Sequence, residues 1–237
     1  MDILLISLAP VAIIAGYIWF RDKYEREPFR MLFFSLLAGA LIVVPVIFAE
    51  NLISIPGEGL EGIPAAAWKA FAVAGFTEEV FKYLALFLLI WKSREFNDKY
   101  DGIVYGTFLS LGFAGVENIL YVFSEGYSTG LVRAFTAVPA HAIFGITMGF
   151  YLGLAKFYPR KRRALQWRAL LIPILLHGIY DFILMTGIEW LWIVFFAFLV
   201  FLYISAFRRL KRLSDASYFN TDYDLLNSKL SNNDQNT

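Results

Sequence analysis

The sequence predicts an all-α fold: a polytopic membrane helix bundle with about seven transmembrane helices. Hydrophobic residues make up 59% of the 237-residue chain, whereas a soluble domain usually contains about 45–50%. The aromatic share of 18% suits a surface that faces lipid and needs anchors at both membrane interfaces. Charged residues are gathered in short segments between long apolar stretches. Lipid is therefore the predicted solvent for most of the chain.

Each predicted helix corresponds to one apolar stretch, because crossing the hydrocarbon core takes roughly 17–25 residues. The stretches are 2–20, 29–50, 65–91, 102–123, 131–155, 168–186 and 189–207. Short polar connections separate the first six, and a tight turn at Gly187 separates the last two. No basic region precedes the first stretch, so we expect a retained span and not a cleaved signal peptide.

The distribution of Lys and Arg predicts the orientation, since basic loops tend to stay on the cytoplasmic side. In a seven-helix arrangement, 18 of the 21 basic residues fall on one side. We therefore expect the N-terminus outside and the C-terminus in the cytoplasm. The remaining three are Lys69, Lys82 and Arg133. Lys69 and Arg133 are predicted to anchor the interface, while Lys82 lies inside the third span.

The amino-acid composition also predicts where the transmembrane domain ends, and it excludes several classes of function. Residues 1–212 are predicted to form the transmembrane domain, and residues 213–237 a polar, disordered cytoplasmic tail. The chain has no cysteine, which excludes disulfides, thiolate catalysis and cysteine-ligated metals. A net charge of +1 gives no basic field for nucleic acid.

Ionisable residues lie inside four of the predicted spans, where a charge is costly and usually functional. They are Glu78, Glu79 and Lys82 in the third span, Glu117 in the fourth, His141 in the fifth, and His177 and Asp181 in the sixth. Lys82 is i+4 from Glu78 and i+3 from Glu79, within reach of both carboxylates. With a rise of about 1.5 Å per residue, the groups fall at similar depths. The sequence thus predicts one polar chamber within the bilayer.

Each group also has a simpler structural interpretation. Glu79 and Lys82 can form a buried ion pair that only fixes packing, Glu117 and Asn118 can join helices by hydrogen bonds, and Asp181 can merely support His177. A transporter would also use intramembrane carboxylates and histidines, although no inverted repeat is visible. A non-catalytic scaffold that binds membrane helices is a third alternative. The coincidence of three carboxylates and both histidines inside spans favours a shared functional site.

The same groups permit hydrolysis of an amide without a serine or cysteine nucleophile. A glutamate can act as general base on water while a histidine stabilises the developing oxyanion. A zinc site built from His141, His177 and a glutamate is the alternative, since two histidines and one carboxylate make an open zinc site. The absence of an H-E-x-x-H helix disfavours zinc.

Four motifs resemble those of the PrsW family of intramembrane proteases. They read Glu78-Glu79-x-x-Lys82, Tyr100-Asp101-Gly102-Ile103-Val104-Tyr105-Gly106, Gly112-Phe113-Ala114-x-x-Glu117-Asn118-x-x-Tyr121 and His177-Gly178-x-Tyr180-Asp181, with His141 between the last two. The opening Ala9-Pro10 and the segment Asp22-x-Tyr24-x-x-Glu27-Pro28 also match, so the resemblance covers about residues 1–210. PrsW proteins belong to a wider group with the CAAX-prenyl proteases and bacteriocin-processing enzymes. Lys82 departs from the CAAX branch, which has arginine one residue later.

The resemblance implies which residues form the site. The catalytic set is Glu78, Glu79, His141 and His177, with Glu78 as the water-activating residue and the histidines stabilising the transition state. The supporting set is Lys82, Glu117, Asn118, Tyr121 and Asp181. No metal ligand is assigned, because we expect a glutamic mechanism without a cofactor, with the zinc-dependent form as the alternative.

The resemblance also implies an activity and a location. A PrsW-like chain would be an intramembrane endopeptidase whose protease domain is residues 1–212. Its expected reaction is site-1 cleavage of a membrane-anchored regulatory protein, such as an anti-sigma factor in a stress response. The expected partners are a single-span substrate protein and the lipid bilayer. The expected location is the inner, cytoplasmic membrane of a bacterial cell, as a multi-pass protein.

Overall fold

The computed structural model describes residues 3–217 and confirms the all-α membrane bundle. Its α-helices are α1 (Ile3–Arg21), α2 (Phe29–Ser54), α3 (Gly62–Ala67), α4 (Thr77–Ile90), α5 (Lys99–Glu125), α6 (Tyr127–Phe135), α7 (Ala137–Phe157), α8 (Arg162–Met185) and α9 (Leu191–Asp215). A π-helical segment, Trp68–Phe76, joins α3 to α4, and short 3₁₀ turns occupy Ile55–Gly57 and Pro159–Lys161. No strand occurs within the described residues.

Six helical stretches in residues 3–217 are long and apolar enough to cross a membrane. The seventh crossing is the continuous run 62–90, formed by α3, the π-helical segment and α4. Its four charged residues lower its hydropathy: Lys69, Glu78, Glu79 and Lys82. The count of about seven spans therefore agrees with the sequence prediction, and the polar crossing is the one that carries the double glutamate.

Helices α5 and α7 form the centre of the bundle. Within their most apolar windows, 78% of the α5 stretch and 89% of the α6–α7 stretch is buried, against 22–33% for the other candidate spans. Glycines allow the two backbones to touch: a Cβ added at Gly149 would lie 1.9 Å from the carbonyl oxygen of Gly102. Such small-residue contacts are a common basis of helix association in membranes. They bring Glu117 and His141 onto neighbouring, closely packed helices.

The basic segments, which are the first, third and fifth connections (residues 21–28, 92–101 and 156–167) and the end of α9, lie at one end of the bundle. Asn97 donates to Glu25, 3.0 Å away, which joins the first and third connections. Lys156 donates to the carbonyl of Trp91, 2.6 Å away, and Ser217 donates to Asp98 after α9. These connections and the end of α9 therefore lie on one side of the bundle. The segment after the last helix lies on the same side as the first connection only when the number of crossings is odd.

Buried acidic side chains hold this basic end together. Asp98 caps α5, and its backbone N–H donates to Asp101 at 2.6 Å, which completes a capping box. Asp22 accepts the backbone N–H of Glu27 at 3.0 Å, and the Tyr105 hydroxyl donates to Glu27. Burial raises the pKa of Asp22 to about 6. Burial, together with the neighbouring Asp101 carboxylate, also raises the pKa of Glu27.

The structure differs most from the predicted boundaries in two places. The stretch 131–155 is interrupted at Thr136, whose hydroxyl donates to the carbonyl of Val132 at 2.8 Å. As a result, a separate helix, α6, begins in the predicted connection 124–130. At the other end of the chain, α9 continues to Asp215 because Leu213 packs into the core. The rest of the predicted polar tail, residues 218–237, lies outside the described residues.

Candidate active site

The structure brings the predicted site residues of four helices into one cluster. Three of them, Glu78, Glu79 and Lys82, come from the first two turns of α4. The others come from α5 (Glu117, Asn118 and Tyr121), α7 (His141) and α8 (His177 and Asp181). Both histidines and the double glutamate are buried. The groups that the sequence placed at similar depths are therefore also close together.

A π-helical segment precedes the double glutamate and positions it. In a π-helix the hydrogen bonds run from i to i+5, and such segments occur often at functional sites. The segment packs closely on α8, since a Cβ at Gly75 would lie 3.0 Å from the backbone nitrogen of Gly178 and a Cβ at Gly178 would meet Phe71. This contact places the start of α4 beside His177, the residue before Gly178.

Lys82 joins three members of the site. Its ammonium nitrogen lies 2.9 Å from Glu78 Oε2, 2.9 Å from Glu79 Oε1 and 3.1 Å from His141 Nδ1. An ammonium has three N–H donors, so these acceptors use all of them. The Phe113 ring centroid lies 4.1 Å from the same nitrogen. A buried cation thus balances the two adjacent buried carboxylates.

The two histidines have different partners. Because Lys82 can only donate, Nδ1 of His141 is an acceptor, and its Nε2 donates to Glu117 Oε2 at 2.8 Å. In His177, Nδ1 lies 3.0 Å from Glu79 Oε1 and Nε2 lies 3.3 Å from Asp181 Oδ2. His177 therefore has a carboxylate at each ring nitrogen. Phe144 stacks on its ring, with centroids 5.0 Å apart.

A cavity of about 390 Å³ opens onto this cluster. Both histidines, Glu78 and Asp181 are among its lining residues, whereas Glu79 is not. Of the two adjacent glutamates, Glu78 is therefore the one that faces the space in which a substrate could lie. Glu79 is fully buried behind it, where it contacts Lys82 and His177.

The sequence interpretation missed three charged residues of this cavity, Glu50, Lys69 and Arg133. Arg133, predicted to be an interface anchor, instead forms an ion pair of 2.8 Å with Glu117, so that prediction is wrong. The reason is the α6–α7 break, which turns α6 back toward α5. Glu50 of α2 also lines the cavity. The sequence did contain an indication that Arg133 is unusual. It is one of three basic residues that do not lie in the segments predicted to be cytoplasmic.

The donor set of the cluster fits a metal ion by its chemistry. Ligand atoms of Glu78, Glu79, His141 and His177 all lie within 4.8 Å of one another. Imidazole and carboxylate are common zinc ligands. One buried oxygen, Glu79 Oε2, has no hydrogen-bond partner in the described part of the chain. The four side chains could therefore hold a metal.

Comparison with known proteins gives this cluster a family. The family model described as "PrsW family intramembrane metalloprotease" matches residues 27–207. The chain belongs to the PrsW family. The match contains every residue of the cluster and extends from the Glu27 loop into α9.

Curated bacterial PrsW proteins are similar over most of their lengths. Protease PrsW of Clostridioides difficile (strain 630) is 40% identical over 211 residues, covering 86% of this chain and 87% of the relative. Protease PrsW of Geobacillus kaustophilus (strain HTA426) is 39% identical, covering 78% and 80%. Protease PrsW of Bacillus subtilis (strain 168) is 36% identical, covering 87% and 93%. No solved structure shows significant similarity. The chain is thus a multi-pass bacterial membrane protein of an intramembrane protease family.

Proposed function

We propose that this PrsW family member hydrolyses a peptide bond of a single-span membrane protein within the bilayer, with Glu78 as general base and without a metal. One observation carries the proposal. Glu78 faces the cavity, and its Oε2 lies 3.9 Å from Nδ1 of His177 and 4.0 Å from Nδ1 of His141. A carboxylate base and two imidazoles therefore surround a space that a water molecule and a carbonyl group can share.

In the proposed reaction, Glu78 takes a proton from a water molecule in the cavity while the water oxygen bonds to the scissile carbonyl carbon. The Nε2–H of His141, which Glu117 accepts before the reaction, and a ring N–H of His177, held by Glu79 or Asp181, turn toward the resulting oxyanion and stabilise it. Glu78 then gives the proton to the leaving nitrogen as the C–N bond breaks, which balances the hydrolysis. The Lys82 ammonium holds the Glu78 side chain in place through its contact of 2.9 Å.

The contacts of Lys82 support the metal-free form. One oxygen of Glu78, one oxygen of Glu79 and Nδ1 of His141 already accept from the Lys82 ammonium. A divalent ion held by these side chains would share them with the Lys82 ammonium, and two cations in one buried site repel each other. In a metal-bound form, the histidines and a glutamate would be the ligands, and the ion would polarise the carbonyl as a Lewis acid.

The proposed substrate is a membrane-anchored regulatory protein such as an anti-sigma factor, cut at site 1. Family resemblance supports this substrate, and the intramembrane cavity supports a substrate that presents an unwound helix end. The proposed location is the cytoplasmic membrane, with the N-terminus outside and the basic end of the bundle in the cytoplasm. Positively charged connections at one end support that orientation.

Co-expression with an epitope-tagged single-span anti-sigma factor of the same bacterium tests the proposal. We expect Glu78→Gln to lower the cleavage rate at least about 100-fold, as for the loss of a general base. Glu58→Gln, at an exposed glutamate outside the cavity, is the matched control and should cleave normally. Normal cleavage by Glu78→Gln would refute the assignment. A scaffold or a transporter would leave the substrate uncut in every variant, including the wild type.

A further inference from the structure

Arg133 reaches the site from the short helix α6, which carries none of the catalytic set. It lies near the end of the short helix α6, and its side chain is 15% exposed. Its Nη2 donates to Glu117 Oε2 at 2.8 Å, and its Nε donates to Asn118 Oδ1 at 3.2 Å. Its guanidinium carbon lies 3.8 Å from the centroid of the Tyr121 ring. Three residues of α5 therefore hold one guanidinium in a fixed position.

The carboxylate that Arg133 holds also orients a histidine. Glu117 Oε2 lies 2.8 Å from Arg133 Nη2 and 2.8 Å from His141 Nε2. The protonated nitrogen of a histidine is set by the hydrogen bonds that its ring makes. Glu117 as acceptor keeps the proton on Nε2, which leaves Nδ1 free to accept from Lys82. A chain of contacts thus runs from Arg133 through Glu117 and His141 to Lys82.

We infer that Arg133 is a positioning residue that fixes the orientation and tautomer of His141 through Glu117. The inference rests on the proposed function, in which His141 stabilises the oxyanion. In this inference, the function of α6 is to supply the guanidinium that pairs with Glu117. Asn118 reinforces the arrangement, since its amide donates to the carbonyl of Ser7 at 3.2 Å while its oxygen accepts from Arg133.

The first test measures cleavage of the tagged substrate by Arg133→Gln, Arg133→Lys and Glu117→Gln proteins. We expect Arg133→Gln to lower kcat tenfold or more with little change in KM, and Arg133→Lys to recover part of the rate. A lysine keeps the charge but lacks the planar fork that also reaches Asn118. The double variant Arg133→Gln/Glu117→Gln should be no slower than Glu117→Gln alone, because both changes break one chain of contacts. A double variant whose rate is lowered by the product of the two single effects would overturn the inference.

The second test needs no substrate. The chain has only two histidines, so ¹⁵N-histidine labelling gives four ring-nitrogen NMR signals, which His177→Asn assigns. We expect wild-type His141 to show a neutral ring protonated at Nε2, and Arg133→Gln to show a mixture of tautomers. An unchanged His141 signal in Arg133→Gln would overturn the inference. Arg94→Gln, at an exposed arginine, should match the wild type.

The two proposals fail in distinguishable ways. If Glu78→Gln still cleaves, the proposed function fails, whatever Arg133 does. If Glu78→Gln is inactive while Arg133→Gln cleaves at the wild-type rate, only the role of Arg133 fails. Equal thermal unfolding midpoints for Arg133→Gln and the wild type would show that the lost rate does not reflect lost folding.

Discussion

The ammonium nitrogen of Lys82 lies 2.9 Å from Glu79 Oε1, and both side chains are completely buried. In such a pair, the attraction offsets the large cost of removing both charges from water. Glu78 shares the same cation. The stability of the start of α4 and the position of the proposed base therefore depend on one lysine.

Replacing this lysine should destabilise the protein. We expect Lys82→Met to cost about 3–5 kcal/mol, because it leaves buried carboxylates without a counter-charge. Tryptophan fluorescence during thermal unfolding in detergent measures the loss, as the chain has 6 tryptophans. Lys69→Met, at an exposed lysine earlier in the same crossing, is the control. The double variant Lys82→Met/Glu79→Gln should recover part of the stability. Equal midpoints for Lys82→Met and the wild type would contradict this account of the ion pair.

A second prediction concerns the contact between α5 and α7. A Cβ at Gly149 would lie 1.9 Å from a backbone oxygen of Gly102, so Gly149→Ala must push the helices apart. We expect the free energy of unfolding to fall by about 1–3 kcal/mol. Cleavage should also be slower, because the shift separates Glu117 from His141. Gly16→Ala is the matched control, since nothing lies within 4 Å of its added Cβ. A fully active and stable Gly149→Ala protein would show that the helices do not pack this closely.

The pH dependence of stability should report the buried acids at the basic end. Burial raises the pKa of Asp22 from 3.8 to about 6, so the folded protein holds this proton more tightly than the unfolded chain. The protonated Asp22 carboxyl group therefore contributes to the free energy of unfolding below about pH 4. This contribution is lost as the pH rises through about 6. The loss is about 3 kcal/mol at most for a two-unit shift. Asp22→Asn should flatten this part of the stability curve, whereas Glu61→Gln, at an exposed site, should not. If the unfolding free energy of Asp22→Asn changed with pH as steeply as that of the wild type, the attribution of this pH dependence to Asp22 would be contradicted.

Local spacing and hydropathy predicted much of this architecture. The i,i+3 and i,i+4 spacing places Lys82 next to both glutamates in any helix, and the apolar stretches define the spans. The Arg133 to Glu117 contact was not predictable in this way, because it depends on how α6 turns relative to α5. The π-helical segment before Glu78 was also missed, since its apolar sequence is equally compatible with an α-helix. Close glycine contacts set the relative positions of helices, and a single sequence does not reveal which glycines meet.

The central claim is that Glu78 acts as base in a site whose cation is Lys82 and not a metal. The most direct measurement is cleavage of the purified anti-sigma factor by the purified protein in lipid vesicles, with and without 1,10-phenanthroline, alongside elemental analysis for zinc. Glu78→Gln measured in parallel shows whether the observed cleavage belongs to this site. We expect an undiminished rate with chelator, less than one zinc per ten chains, and no cleavage by Glu78→Gln. Loss of cleavage with chelator, restored by added zinc, would contradict it.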